Sequence, residues 1–574
     1  MGGPSALRLD RSVAARPQAV LAASVLIAVA LNLWETRGQT FFSDEWGRLM
    51  FYNDGGLETL LRGHSGHLVA LHTLLYKGLL EIFGADSYLP FRITEALLVG
   101  ACGLLFYALA RARAEPWPCL LATFVLLCLG SAFEVLATPY GIVILLPVAL
   151  GLAALVCLER FPGKRDLLAC LLLIAAVASQ SVGLAFLAGA TVLLVQQSGR
   201  AAVARPWVVL APGALYVAWF AWSRLSGPEV ADPVQLDNLT EVPLSVVKLC
   251  AAGLAAISGL FGGSGFEGGV LFEHVQPKEF HLAAGYLLLV LLIVAAVWRA
   301  RGGSGLAKEV WVAVALALTF WVLVAMVAGG ARGPRVSRYL YPSAVFLLLI
   351  LLELVRGVRF RPRLIWLGAG ALLVSLVPNL FNLNDEAGQI RDFATHERSQ
   401  LGALELLRDE VPAASIPALR LDRGVLIVDR QGPIAASKYF AAVDRYGSPA
   451  DSPAEIAAAN EDGREIFDEV LLEGNDLTLS ELPPGRAVPE RNCHRAFGPS
   501  AGYGRPFSVP RSGLEVRPQG SSSPVTLLAR RFATGFQRLS LPPGPGPLLL
   551  RPGTSQQVRP WLVVIHGATV CAAR

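Results

Sequence analysis

Long apolar runs joined by short polar connections fill the first two-thirds of the chain. A helix needs about 20 mainly apolar residues to cross the hydrocarbon of a bilayer. Runs of that kind lie at 18–34, 91–110, 117–136, 138–158, 207–225, 281–298, 310–328, 339–356 and 364–380. The run 167–197 is too long for one span and is interrupted by Ser179, Gln180, Ser181, Val182 and Gly183, which predicts two short helices folded as a hairpin. The first run has no small-residue cleavage site and is followed by Glu35 and Arg37, so it reads as a retained anchor rather than a signal peptide.

Two segments break this pattern. In 35–90, residues 67–83 place His72, Tyr76, Lys77 and Glu81 along one helical side and Leu68, Leu71, Leu75, Leu79 and Ile82 along the other, predicting an amphipathic helix that lies at the interface. Before it, Asp44 to Arg62 reads as two short helices broken at Asn53, Asp54, Gly55 and Gly56. From 381 onward Pro, Gly and charges become frequent, and short runs at 424–428, 525–529 and 561–565 read as strands. The expected fold class is therefore mainly α. A helical membrane bundle of about eleven spans covers 1–380, and an extracytoplasmic soluble domain covers 381–574, mixed α/β first and a β-sandwich toward the end.

Composition agrees: 54% of residues are apolar and 16% charged, with mean hydropathy +0.51, too apolar for a water-soluble domain of ordinary usage. The net charge of +5 comes without a Lys/Arg block, which argues against nucleic acid as a partner. The position of the charges carries more information. With the N-terminus in the cytoplasm, the cytoplasmic segments hold 17 basic and 5 acidic residues, and the outer loops 35–90 and 226–280 hold 14 acids and 6 bases, as retention of basic residues inside requires. This threading needs 167–197 to cross twice and 244–262 not to cross fully. Among the eight cysteines, Cys493 and Cys571 stand apart from six in apolar stretches, and an outer compartment permits a bridge between them, the alternative being two unpaired thiols.

Four places carry candidate chemistry. Asp44 and Glu45, between Phe41, Phe42 and Trp46, form an acidic pair close to the outer end of the first span. Either they cap the next helix or they work at the membrane boundary, where ionisable groups are costly. Glu134 is a lone carboxylate at the outer end of the third span, or it simply emerges among headgroups. His64 and His67 precede the interfacial helix, suited either to hydrogen-bonding a phosphate or a hydroxyl or to interfacial packing. Arg332, Arg335 and Arg338, followed by Tyr339, violate the positive-inside trend at the mouth of a span. They suit either an anionic partner, for which Arg supplies forked donors, or headgroup anchoring.

One long span, an outer acidic pair, an interfacial helix, many further spans and an outer C-terminal domain together resemble the GT-C glycosyltransferases, integral membrane enzymes that transfer sugar from a polyprenyl-phosphate carrier. The resemblance covers roughly 18–380. It implies that Asp44 is the catalytic base toward an acceptor hydroxyl, with Glu45 ligating a metal or fixing its neighbour and Glu134 as a second acidic position. It implies that Arg335, Arg338 and Tyr339 grip the carrier phosphate. Glu45 stands where a double Asp would, so a divalent cation, Mg or Mn, stays undecided, and a Trp-Trp-Asp type motif is missing. The resemblance implies an inverting transfer in a bacterial plasma membrane from a polyprenyl-phosphate sugar lipid to an envelope glycan, lipid or protein, with Asp44, Glu134 and Arg338 converging on one outward cavity. The alternatives are a polytopic transporter or lipid flippase, which the broken hairpin and Glu134 also suit, and a non-catalytic envelope scaffold whose outer domain binds glycan.

Overall fold

The computed structural model describes residues 17–41, 44–51, 56–64, 66–197, 205–225, 236–261, 280–302, 306–327, 336–358, 362–408, 428–429, 432–433, 436–482, 493–495, 506–518, 525–539, 547–553 and 559–572. The chain divides into two compact units. The first holds residues 1–39, 51–83 and 88–391, the second 40–50, 84–87 and 392–574. The division at 391/392 falls inside a continuous helix rather than at its polar start near 381, and two pieces of the first outer loop join the second unit.

Among its described residues the first unit is helical apart from turns, loops and one isolated bridge between His64 and His67. Its elements are α1 Pro17–Glu35, then α3 Leu57–Leu61, α4 Ala70–Phe83, α5 Leu89–Ala110, α6 Pro116–Leu127, α7 Phe133–Leu136, α8 Ile142–Arg160, α9 Asp166–Val177, α10 Val182–Gln197, α11 Trp207–Leu225, α12 Val242–Ile257, α13 Phe280–Arg301, α14 Val310–Met326, α15 Ser337–Leu354 and the first part of α16 Pro362–Leu406. The helix α2 Asp44–Phe51 precedes α3, and its residues up to Met50 belong to the second unit. Among the described residues, eight helical stretches are long and apolar enough to cross a membrane: Pro17–Glu35, Leu89–Ala110, Pro116–Leu136, Pro139–Arg160, Trp207–Leu225, Leu282–Arg301, Ser337–Leu354 and Trp366–Leu406. Both arms of the expected hairpin, α12 and α14 are shorter apolar helices. The hairpin forms as the sequence predicts, with α9 and α10 turning at Ala178–Ser181. Its close packing requires Gly183, whose added Cβ would sit 2.5 Å from the backbone of Ala176.

Apolar residues on the outside form a surface suited to contact with lipid. Leu287, Val290, Leu291, Val294 and Trp298 on α13 are exposed, as are Leu210, Val217 and Leu225 on α11. In water such a surface would be unstable. Inside, Leu145, Leu152, Phe186, Leu316, Phe346 and Leu349 pack into one core. On the helix α4, His72 and Tyr76 are buried, with the Tyr76 ring 5.1 Å from Phe91, while Glu81 of the same side and Ile82 of the apolar side are exposed.

The second unit contains the end of α16, α17 Ala436–Tyr446, α18 Pro453–Ala458 and α19 Glu461–Glu473. Its strands are β1 Val428–Asp429, β2 Gly432–Pro433, β3 Leu477–Glu481, β4 Cys493–Arg495, β5 Phe507–Ser508, β6 Leu514–Pro518, β7 Thr526–Arg530, β8 Gln537–Leu539, β9 Leu548–Pro552, β10 Leu562–His566 and β11 Ala568–Ala572. Besides the β1–β2 pair they make two antiparallel sheets, ordered β5-β10-β7-β8 and β3-β9-β6-β11-β4. Leu527 and Val563 of one and Val516, Leu550 and Val570 of the other share a single core with Phe467 of α19, Ala403 of α16 and Leu407 just past its end. Cys493 and Cys571 are directly opposite one another on β4 and β11 and form a disulfide. The expected strand at 424–428 lies outside the described residues except for Val428.

Candidate functional site

In the first unit, Glu134 and Arg338 meet although 204 residues separate them. The α6 helix ends at Leu127, and a 3₁₀ turn at Gly130–Ala132 leads into the one-turn helix α7 that carries Glu134. Gly130 is needed there because an added Cβ would lie 1.7 Å from the Asn379 carbonyl oxygen of α16. The Asn379 side chain then fixes the turn: its Oδ1 accepts from the amide and hydroxyl of Ser131, both at 3.0 Å, and its Nδ2 donates to Ala256 O and Ser375 O. Ser337 Oγ donates to Ser131 O at 2.9 Å and accepts from the Glu134 amide at 3.3 Å. On the other side of α7, Asn32 Nδ2 donates to Leu136 O and Gln39 Nε2 to Ala137 O.

Held in this way, the Glu134 carboxylate sits at the first turn of α15. Its Oε2 accepts from the Arg338 amide at 2.8 Å, and its Oε1 receives Nη1 of the Arg338 guanidinium at 3.3 Å. The negative charge complements the partial positive end of α15. With both oxygens engaged by positively polarised donors, Glu134 is suited to hold Arg338 in place. Arg338 also lies 5.6 Å from the centroid of the Tyr339 ring, and Tyr339 packs edge-on against Phe320. Arg335 and Arg332 lie outside the described residues. The cluster thus presents one guanidinium and an aromatic hydroxyl at the start of an apolar helix, chemistry suited to an anion at a lipid boundary.

In the second unit, Asp44 opens α2 and Glu45 is buried at 1% exposure. Trp46 anchors the helix, with its ring 5.6 Å from Phe41 and 6.3 Å from Tyr439. Tyr439 OH and Ser448 Oγ both donate to Glu405 Oε1, and the Ser448 amide donates to Asp86 Oδ1. The sequence reading missed Glu397, which faces Glu45 from α16 and is completely buried. The apolar part of α16 ends at Phe381, and Asp385, Glu386, Arg391 and Asp392 follow, so Glu397 lies beyond any membrane-spanning part.

Burial holds the Glu397 carboxyl well above the usual carboxylate range and the Glu45 charge adds to the rise, while the Trp46 indole N–H and Arg398 oppose it. Folded protein therefore keeps this proton to higher pH than unfolded chain, so stability falls as pH rises above the ordinary glutamate value. Glu397→Gln, which mimics the protonated acid, is expected to match the natural protein near pH 4 and to have the higher unfolding temperature near pH 8. Equal midpoints at both pH values would show that Glu397 ionises freely.

His64 and His67 exchange backbone hydrogen bonds of 2.9 Å in both directions, and His67 Nδ1 lies 2.7 Å from Ser181 Oγ. No group of three or more His, Cys, Asp or Glu able to hold a metal ion occurs among the described residues. Ser131, Ser337 and Asn379 were legible only as polar residues at the ends of, or within, apolar runs, and nothing in their spacing pairs them. No protein family, curated protein or solved structure matches this chain.

Proposed function

We propose that the protein is a membrane glycosyltransferase of GT-C type with an eleven-span bundle in a bacterial plasma membrane. It transfers sugar from a polyprenyl-phosphate donor to an envelope acceptor on the outer face. The observation that carries this reading is the Glu134–Arg338 pair: a guanidinium fixed at the start of an apolar helix, beside Tyr339, is suited to a lipid-borne phosphate. In this reading Arg338 binds the carrier phosphate and stabilises the charge it gains as the bond to the sugar breaks. Glu134 positions Arg338 through its amide and its guanidinium. Asp44 accepts the acceptor hydroxyl proton as the oxygen attacks the anomeric carbon, with inversion, and the phosphate leaves on the lipid.

The test is release of sugar from a polyprenyl-phosphate donor by membranes containing the full chain. Asp44→Asn and Arg338→Ala are each expected to lower the rate by about 100-fold. Because both groups serve one transfer step, the double variant is expected to fall well short of the product of the two losses. Full activity in both single variants would eliminate the mechanism.

A further inference from the structure

A second polar cluster of the first unit lies where the loop before α4, the α9–α10 turn and α11 meet. The backbone exchange between His64 and His67 closes a tight turn, with Gly66 at φ +79°, and this brings the His67 ring against Ser181 at 2.7 Å. Trp219 of α11 pins the same loop by donating from Nε1 to Leu61 O at 2.8 Å. Tyr216, also on α11, brings its hydroxyl close to Ser181. One turn further along α11, Phe220 stacks on Tyr216, and the Arg224 guanidinium lies 5.2 Å from the Phe220 ring.

An imidazole, two hydroxyls and, past the Phe220 ring, a guanidinium thus gather in one region. Arg224 is exposed, and no carboxylate pairs with it among the described residues. Ser181 directly precedes α10, so the partial positive end of a 16-residue helix adds to the same field. The first amide of α10, at Val182, is taken by Gln180 Oε1, which leaves recognition to side chains. Along α11 from this cluster run the exposed apolar residues Leu210 and Val217.

We infer that His67, Ser181, Tyr216 and Arg224 form a binding site for the phosphate headgroup of a membrane lipid, whose acyl chains lie along the exposed apolar side of α11. A phosphate offers several acceptor oxygens and a full negative charge to this set of hydroxyls and forked donors. The apolar strip beside it is what a free phosphate would not use. This site is separate from the Arg338 cluster and stands or falls independently of the transfer reaction.

The experiment is native mass spectrometry of the purified full chain in equal mixtures of dioleoyl phosphatidic acid and dioleoyl phosphatidylcholine. The natural protein is expected to retain phosphatidic acid preferentially. Arg224→Ala, and the double variant Ser181→Ala with Tyr216→Phe, are expected to lower that occupancy by roughly tenfold, and Arg224→Lys to keep part of it. Because Arg224 is exposed, an unchanged unfolding temperature in its variants separates lost binding from lost folding. Displacement of the lipid by excess inorganic phosphate would assign recognition to the phosphate group itself. Retention in its presence, with loss in the variants, would assign it to phosphate presented on a lipid. Equal retention of the two lipids by the natural protein, or undiminished retention in every variant, overturns the site.

Discussion

Asp468→Ala is expected to destabilise the second unit by about 3–6 kcal/mol. Asp468 is fully buried on α19, and its carboxylate accepts from the amides of Arg531, Phe532 and Ala533 at 2.7–3.0 Å. These three residues are themselves buried. Truncation leaves three donors without partners inside the protein, and each such orphan costs about 1–3 kcal/mol. The same turn aims the Arg531 guanidinium at Asp476 Oδ2, which also accepts from Trp561 Nε1 at the centre of the core, so the loss spreads to the packing around Trp561. Asp468→Asn retains one acceptor oxygen and is expected to recover part of the loss. Thermal unfolding followed by tryptophan fluorescence measures both, and a cost below about 1 kcal/mol for alanine would mean that water replaces the carboxylate.

Arg113→Ala is expected to cost the helical unit about 3–5 kcal/mol. The Arg113 side chain is 2% exposed and lies 3.1 Å from Glu159 Oε2 and 3.0 Å from Glu353 Oε1, the latter carboxylate being 1% exposed. It also donates to Leu109 O at the end of α5, so one side chain ties the ends of α5, α8 and α15. Without it, Glu353 keeps only Arg356, at 3.3 Å and shared with Glu309. A charge stranded in a buried place is worse than no charge, so the double variant Arg113→Met with Glu353→Leu is expected to regain most of the lost stability. Unfolding temperatures in one detergent compare the two, and a double variant no more stable than Arg113→Ala would refute the ionic explanation.

The candidate sites were legible to different depths. Arg338 and Glu134 stood out because charge at the end of an apolar run is expensive, and cost can be read from one position alone. Their contact could not be read, because it depends on α7 and α15 being brought together by Ser131, Ser337 and Asn379, each unremarkable in sequence. Glu397 sits in the charged second half of α16, where a carboxylate is expected to be wet; only its packing against Glu45 and Trp46 makes it dry. On α4 periodicity identifies two sides, but which residues meet protein depends on the neighbours, and both sides carry buried and exposed positions.

The sequence by itself determined the helices, the broken hairpin at 179–183 and the change of character beyond 381. Hydrocarbon forces each backbone group to be satisfied within its own segment, and that demand is local. It also singled out Cys493 and Cys571, left with an unpaired alternative. The tertiary structure alone decided their pairing, the partners of Glu134, Glu397 and Arg113, the role of Asn379, and the meeting of His67 with Ser181 and Tyr216. Those depend on the closeness of residues far apart along the chain, and the energy of a buried charge or amide is set by what surrounds it, which no single stretch of sequence contains.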